Sequence, residues 1–151
     1  MRRLYIVAIV LGLVLFLAIS SLLARVFSVD GAERSALTEL VRAEARGDAA
    51  GMVARIHGCA ASEACTARVN EDAAALRRPG TVSILQINTS AGFSLTGTTG
   101  TARVAWNAAS SLPIVQCVRV RRAGDAISGL HVQLLEISPR IPSDRDCPTR
   151  F

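Results

Sequence analysis

The chain has 151 residues, and half of them are hydrophobic, so a single domain of ordinary size can bury a real core. The formal net charge is +5, but three of the arginines flank an N-terminal apolar run. From residue 26 onward 14 arginines stand against 12 acids, which leaves +2. This balance argues against a nucleic-acid-binding protein, because such proteins concentrate basic charge on one face.

The first predicted element is a membrane-spanning helix. Residues 4–24 contain no charged side chain, and a helix of this length covers about 30 Å, the thickness of the hydrocarbon core of a bilayer. We therefore predict a transmembrane anchor at residues 1–25, with the membrane as a partner through residues 4–24. Arg2 and Arg3 precede the run and Arg25 follows it, which favours a cytoplasmic N-terminus and an extracytoplasmic C-terminal domain.

A cleaved signal peptide is the alternative interpretation of the same run. The run is longer than the roughly 7–15 apolar residues of a signal peptide, and no clear A-x-A cleavage site follows it. We therefore expect an uncleaved signal-anchor and a single-pass protein of the cell membrane. Residues 26–31 are predicted to form a short tether to the outer domain.

All four cysteines, Cys59, Cys65, Cys117 and Cys147, lie beyond the apolar run. An even number of cysteines outside the membrane is typical of an oxidising compartment. Three pairings are possible, and we favour Cys59–Cys65, close in sequence, together with Cys117–Cys147, which would join the tail to a strand. Zinc is the competing interpretation, but no C-x-x-C pair is present and the histidines lack ligand spacing. We expect no metal site and no cofactor.

Three helices are predicted to follow the tether. Asp30, with Glu33 three residues later, is typical of a helix start, because both side chains can bind free N–H groups there. Gly47 interrupts this helix, Asp48 caps a second one and Ser62 begins a third. In each helix apolar residues recur at helical spacing.

Beyond Gly80 the period of the pattern changes from helix to strand. Residues 81–88 are rich in β-forming residues, and their apolar phase shifts between Ile84 and Leu85, as expected for a bulge or for a strand covered on both faces. Apolar and polar residues then alternate around Trp106, in residues 114–121 and in residues 130–134.

Helices followed by consecutive strands with short turns indicate an α+β domain. We predict an N-terminal transmembrane helix followed by two or three helices packed on a curved antiparallel sheet of about four strands. The domain is expected at residues 32–138, and residues 139–151 form a C-terminal tail.

This order of elements resembles the NTF2-like superfamily, a cone-shaped α+β roll whose extracytoplasmic members often follow a single membrane helix. The resemblance rests on the Ala-Arg-Gly-Asp break at residues 45–48, on the short helices after it, and on the strands at 117–122 and 130–137. It covers most of residues 30–138 and implies a fold, because functions in the superfamily range from enzymes to assembly domains. Members that resemble ketosteroid isomerases use Tyr or acid donors, and the outer domain contains no Tyr. No catalytic residue is therefore assigned.

Four basic residues take the polar phase of neighbouring strands: Arg103, Arg119, Arg121 and His131. In an antiparallel sheet they would gather on one face, which we expect to bind an acidic partner or lipid headgroups. The alternative is a solvated face whose arginines discourage pairing of sheet edges. His57, just before Gly58, is interpreted mainly as a cation that complements the end of a helix.

We expect a non-catalytic, membrane-tethered, extracytoplasmic binding or assembly module, acting as a subunit of an envelope protein complex, whose partner is another envelope protein. One alternative is a carrier that holds a hydrophobic small molecule in a cavity lined by residues such as Leu85, Val104 and Leu134. The other is a hydrolase or isomerase that uses His57 or His131. The sequence contains no nucleophile elbow, P-loop, dinucleotide fingerprint or H-E-x-x-H motif.

Overall fold

The computed structural model describes residues 2–90, 96–125, 129–142 and 145–151. Within these ranges the chain has the predicted α+β architecture, with helices first and a four-stranded antiparallel sheet after them. The helices are α1 (Arg2–Arg46), α2 (Ala49–Arg55) and α3 (Glu63–Ala75), with a 3-10 turn at Cys59–Ala61. The strands lie in chain order as β1 (Val82–Asn88), β2 (Thr96–Ala108), β3 (Ile114–Asp125) and β4 (Gly129–Ile137).

Helix α1 runs through residues 26–31, where the sequence predicts a tether and a new helix start. The predicted start at Asp30 is wrong. No proline interrupts residues 2–46, so the helix continues across Gly31 at a cost of only about 1 kcal/mol. The packed domain begins inside the predicted tether, at Val29, which is 5% exposed.

The N-terminal part of α1 is long and apolar enough to cross a membrane. Between Tyr5 and Leu23 its large hydrophobic side chains are 40–70% exposed. Lipid is the favourable surrounding for such a surface, because apolar area in contact with water raises the free energy of the chain. The same unbroken helix then enters the core of the outer domain.

The breaks between the helices are those that the sequence predicts. Helix α1 ends at Arg46, and Gly47 takes the left-handed conformation with φ of 73°. Asp48 Oδ1 accepts a hydrogen bond of 2.8 Å from Gly51 N–H at the start of α2. Ser62 Oγ accepts one of 3.3 Å from Cys65 N–H at the start of α3.

Each strand pairs antiparallel with the next one along the chain. In β1 the register shifts so that Leu85 is the extra residue of a β-bulge, at the predicted change of phase. A second bulge in β4 places Leu135 outside the register between Glu136 and Leu134. Beside it, the His57 N–H donates a hydrogen bond of 2.7 Å to Leu134 O, which covers part of the β4 edge.

The core lies between one face of the sheet and the helices. Trp106 and Val104 of β2 are fully buried against Leu37 and Leu40 of α1 and Met52 of α2. Each large apolar side chain buried in this way contributes about 1.5–3 kcal/mol.

Two disulfides are present, Cys59–Cys65 and Cys117–Cys147, the pairing that the sequence favours. The first joins the 3-10 turn to α3. The second holds the tail against β3, where the Ile141 N–H also donates a hydrogen bond of 2.8 Å to Val115 O. Two disulfides fit an oxidising, extracytoplasmic compartment.

A buried ion pair joins α1 to β3. Glu33 is fully buried, and its Oε2 lies 2.8 Å from Arg122 Nη2 and 2.9 Å from Arg122 Nε. Ser90 donates to the same carboxylate from its N–H at 2.7 Å and its hydroxyl at 3.0 Å. Asp30 Oδ1 lies 3.3 Å from Arg122 Nη2. We call these four residues the Glu33 clamp; it binds the long helix α1 to the sheet.

Replacement Glu33→Ala is expected to destabilise the full chain by about 2–4 kcal/mol, because it removes the closer carboxylate partner of the buried Arg122 guanidinium and leaves only Asp30 at 3.3 Å. Glu39→Ala is the matched control: its pair with Arg42 is exposed, and its loss costs less than about 1 kcal/mol. Urea unfolding in detergent, followed by the fluorescence of the single tryptophan, measures both. Equal losses in the two variants would contradict a stabilising clamp.

Candidate functional site: a basic sheet face and an adjoining groove

The face of the sheet opposite the core carries the basic side chains that the sequence predicts for binding. Arg103 pairs with Cys117, Arg121 with Gln133, and Ala123 with His131. Alternate residues of paired strands share a face, so one surface carries all four predicted residues. Arg121 and His131 are exposed on it, and the other two are partly buried. We call this surface the basic face; it consists of Arg103, Arg119, Arg121 and His131.

Gln133 holds two of these side chains in place. Its Oε1 accepts hydrogen bonds from Arg121 Nε at 2.9 Å and from Arg121 Nη2 at 2.6 Å. Its Nε2 lies 3.2 Å from His131 Nε2. The guanidinium and the imidazole are therefore oriented before any partner arrives, which lowers the entropy cost of binding.

A groove of about 400 Å³ adjoins the basic face. It lies between α3 and the end of β4, and its mixed lining includes a disulfide, two basic side chains, one acid and an aromatic ring. We call it the tail groove, because a residue of the tail borders it; its lining includes His57, Cys59, Cys65, Arg68, Glu136 and Phe151.

Arg119 connects the basic face with the tail groove. Its Nη1 lies 3.4 Å from Glu136 Oε2. Its Nη2 donates a hydrogen bond of 3.1 Å to Thr149 O, and its guanidinium carbon lies 5.2 Å from the centre of the Phe151 ring. Because Glu136 and Phe151 also line the groove, the two features form one continuous surface.

The two histidines occupy different parts of this surface. The His57 side chain is exposed and borders the tail groove, whereas His131 lies on the basic face beside Gln133. The structure thus shows no shared site for the two candidate bases within the described residues.

Two buried carboxyl groups were missed by the sequence analysis. Glu44 is fully buried; its Oε1 accepts a hydrogen bond of 2.7 Å from Gln116 Nε2, and Gln116 Oε1 accepts one of 3.1 Å from Trp106 Nε1. Asp72 of α3 is 3% exposed. The spacing did contain a signal, since Glu44 follows Val41 by three residues and Asp72 follows Val69 by three, on the buried stripes.

Burial dominates the electrostatics of both groups. Burial, together with the nearby charge of Asp72, raises the pKa of Glu44 to about 8. It raises the pKa of Asp72 to about 7, against the opposing effect of Arg68. Among the described residues, Glu44 Oε2 and Asp72 Oδ2 have no hydrogen-bond partner. Glu44 is therefore largely a neutral acid at pH 7.

The chain matches no known protein family, no curated protein and no solved structure.

Stability is expected to fall as the pH rises from about 5 to about 8. The pKa of Glu44 in the folded protein, about 8, lies above its ordinary value of 4.5, so the folded state binds the proton more tightly than the unfolded state does. Glu44→Gln keeps the shape and removes this titration, which should recover roughly 2–4 kcal/mol at pH 9.

Urea midpoints between pH 5 and pH 9 test this expectation. Glu39→Gln, at an exposed position of the same helix, is the control and should keep the pH profile of the wild type. A Glu44→Gln profile as steep as the wild-type profile would show that Glu44 does not titrate in this range. Some slope should remain in the variant, because Asp72 still titrates with a pKa of about 7.

Proposed function

We propose that this chain is a non-catalytic, membrane-tethered binding or assembly module that acts as a subunit of an envelope protein complex. The observation that carries the proposal is the basic face: the fold brings its four basic side chains onto one surface and joins that surface to the tail groove. The proposed partner is an envelope protein with an acidic segment. Guanidinium groups suit such a segment, because they bind carboxylates with paired hydrogen bonds.

The proposed orientation has the N-terminus in the cytoplasm and the α+β domain outside. Two supports are independent: Arg2 and Arg3 precede the apolar run, against Arg25 after it, and the disulfides fit an oxidising compartment. About 8 Å of helix separates residue 24, the end of the predicted membrane span, from Val29, the first buried residue of the domain. A domain held so near the bilayer suits a partner anchored in the same membrane.

We also propose that the α+β unit is an NTF2-like roll. The support is its element order, with a long helix broken at Gly47 and Asp48, short helices after it, and an antiparallel sheet in chain order. This proposal concerns the fold, and function does not follow from it.

The geometry gives less support to the two alternative functions, a ligand carrier and an enzyme. Val104 and Leu134 are buried in the core, whereas Leu85 is 52% exposed at its bulge, so the three residues named for a ligand carrier do not line one interior cavity. For a hydrolase or isomerase, His57 and His131 lie at separate positions on the surface.

Reversal of two charges, Arg119→Glu with Arg121→Glu, is expected to reduce recovery of the partner at least tenfold, because like charges then oppose the acidic segment. The full-length protein is isolated in mild detergent from its own membranes, and native mass spectrometry gives the stoichiometry of any second polypeptide. Recovery should also fall as salt is raised.

The matched control is Arg34→Glu, at an exposed position of α1 away from the basic face. It should leave recovery of the partner unchanged. An equal amount of partner with the double variant and with the wild type would refute docking through the basic face. The Cys117–Cys147 disulfide, mapped in each preparation, reports whether the tail is still in place.

A further inference from the structure

A second basic cluster lies at the far end of α1, away from the basic face. Arg42 and Arg46 are one helical turn apart on α1, and Arg77 and Arg78 follow α3. The backbone brings the two segments together, since the Arg78 N–H donates a hydrogen bond of 2.9 Å to Ala45 O. We call the four arginines the arginine tip.

The Arg77 side chain packs against Gly47. A Cβ atom built at Gly47 would lie 3.0 Å from Arg77 Cδ and 3.3 Å from Ala73 O. The left-handed φ of 73° at Gly47 also disfavours any larger residue. The backbone bond of Arg78 and the packing at Gly47 thus bring the two arginine-bearing segments together.

Two open cavities lie within the arginine tip, with volumes of about 790 and 230 Å³. Both are lined by Arg46, Arg78 and Gly80; Arg77 borders the larger one and Arg42 the smaller. The four arginine side chains therefore border two shallow, open cavities that share part of their lining.

Carboxylates neutralise only part of the cluster. Glu39 Oε1 lies 2.7 Å from Arg42 Nη1, and Asp48 Oδ2 lies 3.8 Å from Arg46 Nη2. Arg78 Nη1 donates to backbone carbonyls, and within the described residues neither Arg77 nor Arg78 forms an ion pair with a carboxylate. The C-terminal ends of α1 and α3 also attract the arginines, because each helix end carries about half a negative charge. This charge is too small to cancel the remaining positive charge of the arginine tip.

The arginine tip is too far from the anchor to contact the bilayer that α1 spans. Arg46 follows residue 24 by 22 positions, which is about 33 Å of helix. Attraction to charged headgroups is screened within about 8 Å at physiological salt, so the ligand of this cluster must come from the surrounding solution.

We propose that the arginine tip binds a small, soluble, multiply charged phosphate anion. Arginine side chains line both cavities, and each guanidinium group can donate a pair of hydrogen bonds to phosphate oxygens. A phosphate group presents three acceptor oxygens and a charge of about −1.5 to −2, whereas a carboxylate presents two oxygens and a single charge. One phosphate group therefore neutralises more of the cluster than one carboxylate does. The site is separate from the basic face, so its existence does not depend on the proposed assembly function.

Inorganic pyrophosphate is the probe, titrated by calorimetry into the full-length protein in a phosphate-free maltoside detergent at low salt. The wild type should bind one equivalent saturably. Arg46→Gln combined with Arg78→Gln should weaken binding at least tenfold, because both side chains line both cavities. Arg34→Gln removes the same type of charge from an exposed position of α1 outside the cluster, and should change the affinity less than twofold.

A second readout separates loss of the site from loss of the fold. Pyrophosphate should raise the midpoint of thermal unfolding of the wild type and leave that of the double variant unchanged. Without ligand, the two proteins should unfold at similar temperatures, because Arg46 is exposed and Arg78 only partly buried.

Three results would overturn the proposal. The first is the absence of saturable pyrophosphate binding by the wild type. The second is equal affinity in the wild type and the double variant. The third is tighter binding of a short glutamate peptide, or of vesicles containing phosphatidic acid, than of pyrophosphate, which would assign the cluster to an acidic polypeptide or to lipid headgroups.

Discussion

The buried contact between Glu33 and Arg122 fixes the relation between the anchor and the sheet. Burying two charges carries a large desolvation cost, which is offset only when each charge is fully bonded. Ser90 and Asp30 supply the remaining bonds of the clamp. The contact lies only four residues beyond Val29, where α1 enters the packed domain. Rotation of the helix against the sheet would therefore break the clamp.

Three surfaces lie at different positions along the unbroken helix and its domain. The N-terminal part of α1 is apolar enough to cross a membrane, the sheet presents the basic face beside the tail groove, and the arginine tip lies at the far end of α1. A rigid connection would hold the basic face at a constant position for a neighbour in the same membrane, which a flexible tether would not do. The Cys117–Cys147 disulfide also shapes the basic face, because it keeps the tail beside Arg119.

Local pattern was sufficient for much of the fold. The caps at Asp48 and Ser62 and the alternation of the strands each depend on neighbouring residues, so the sequence predicted them and the structure confirms them. At Leu85 the sequence allowed a bulge or a strand covered on both faces, and the structure has the bulge. The two disulfides followed from spacing and from the position of the tail. Strand alternation also placed the four residues of the basic face on one side, because side chains in paired strands alternate with a period of two.

By itself, then, the sequence determined the apolar anchor, the α+β class and the shared face of Arg103, Arg119, Arg121 and His131. Only the tertiary structure decided the role of Asp30 and Glu33. Their spacing favours a helix start, but a buried partner 89 residues away in the sequence, Arg122, bonds Glu33 within a continuous helix. The same holds for Glu44, whose burial depends on Gln116. For a charged residue, local spacing can indicate a buried position, but the group that neutralises or hydrogen-bonds it comes from a distant part of the chain and leaves no local signal.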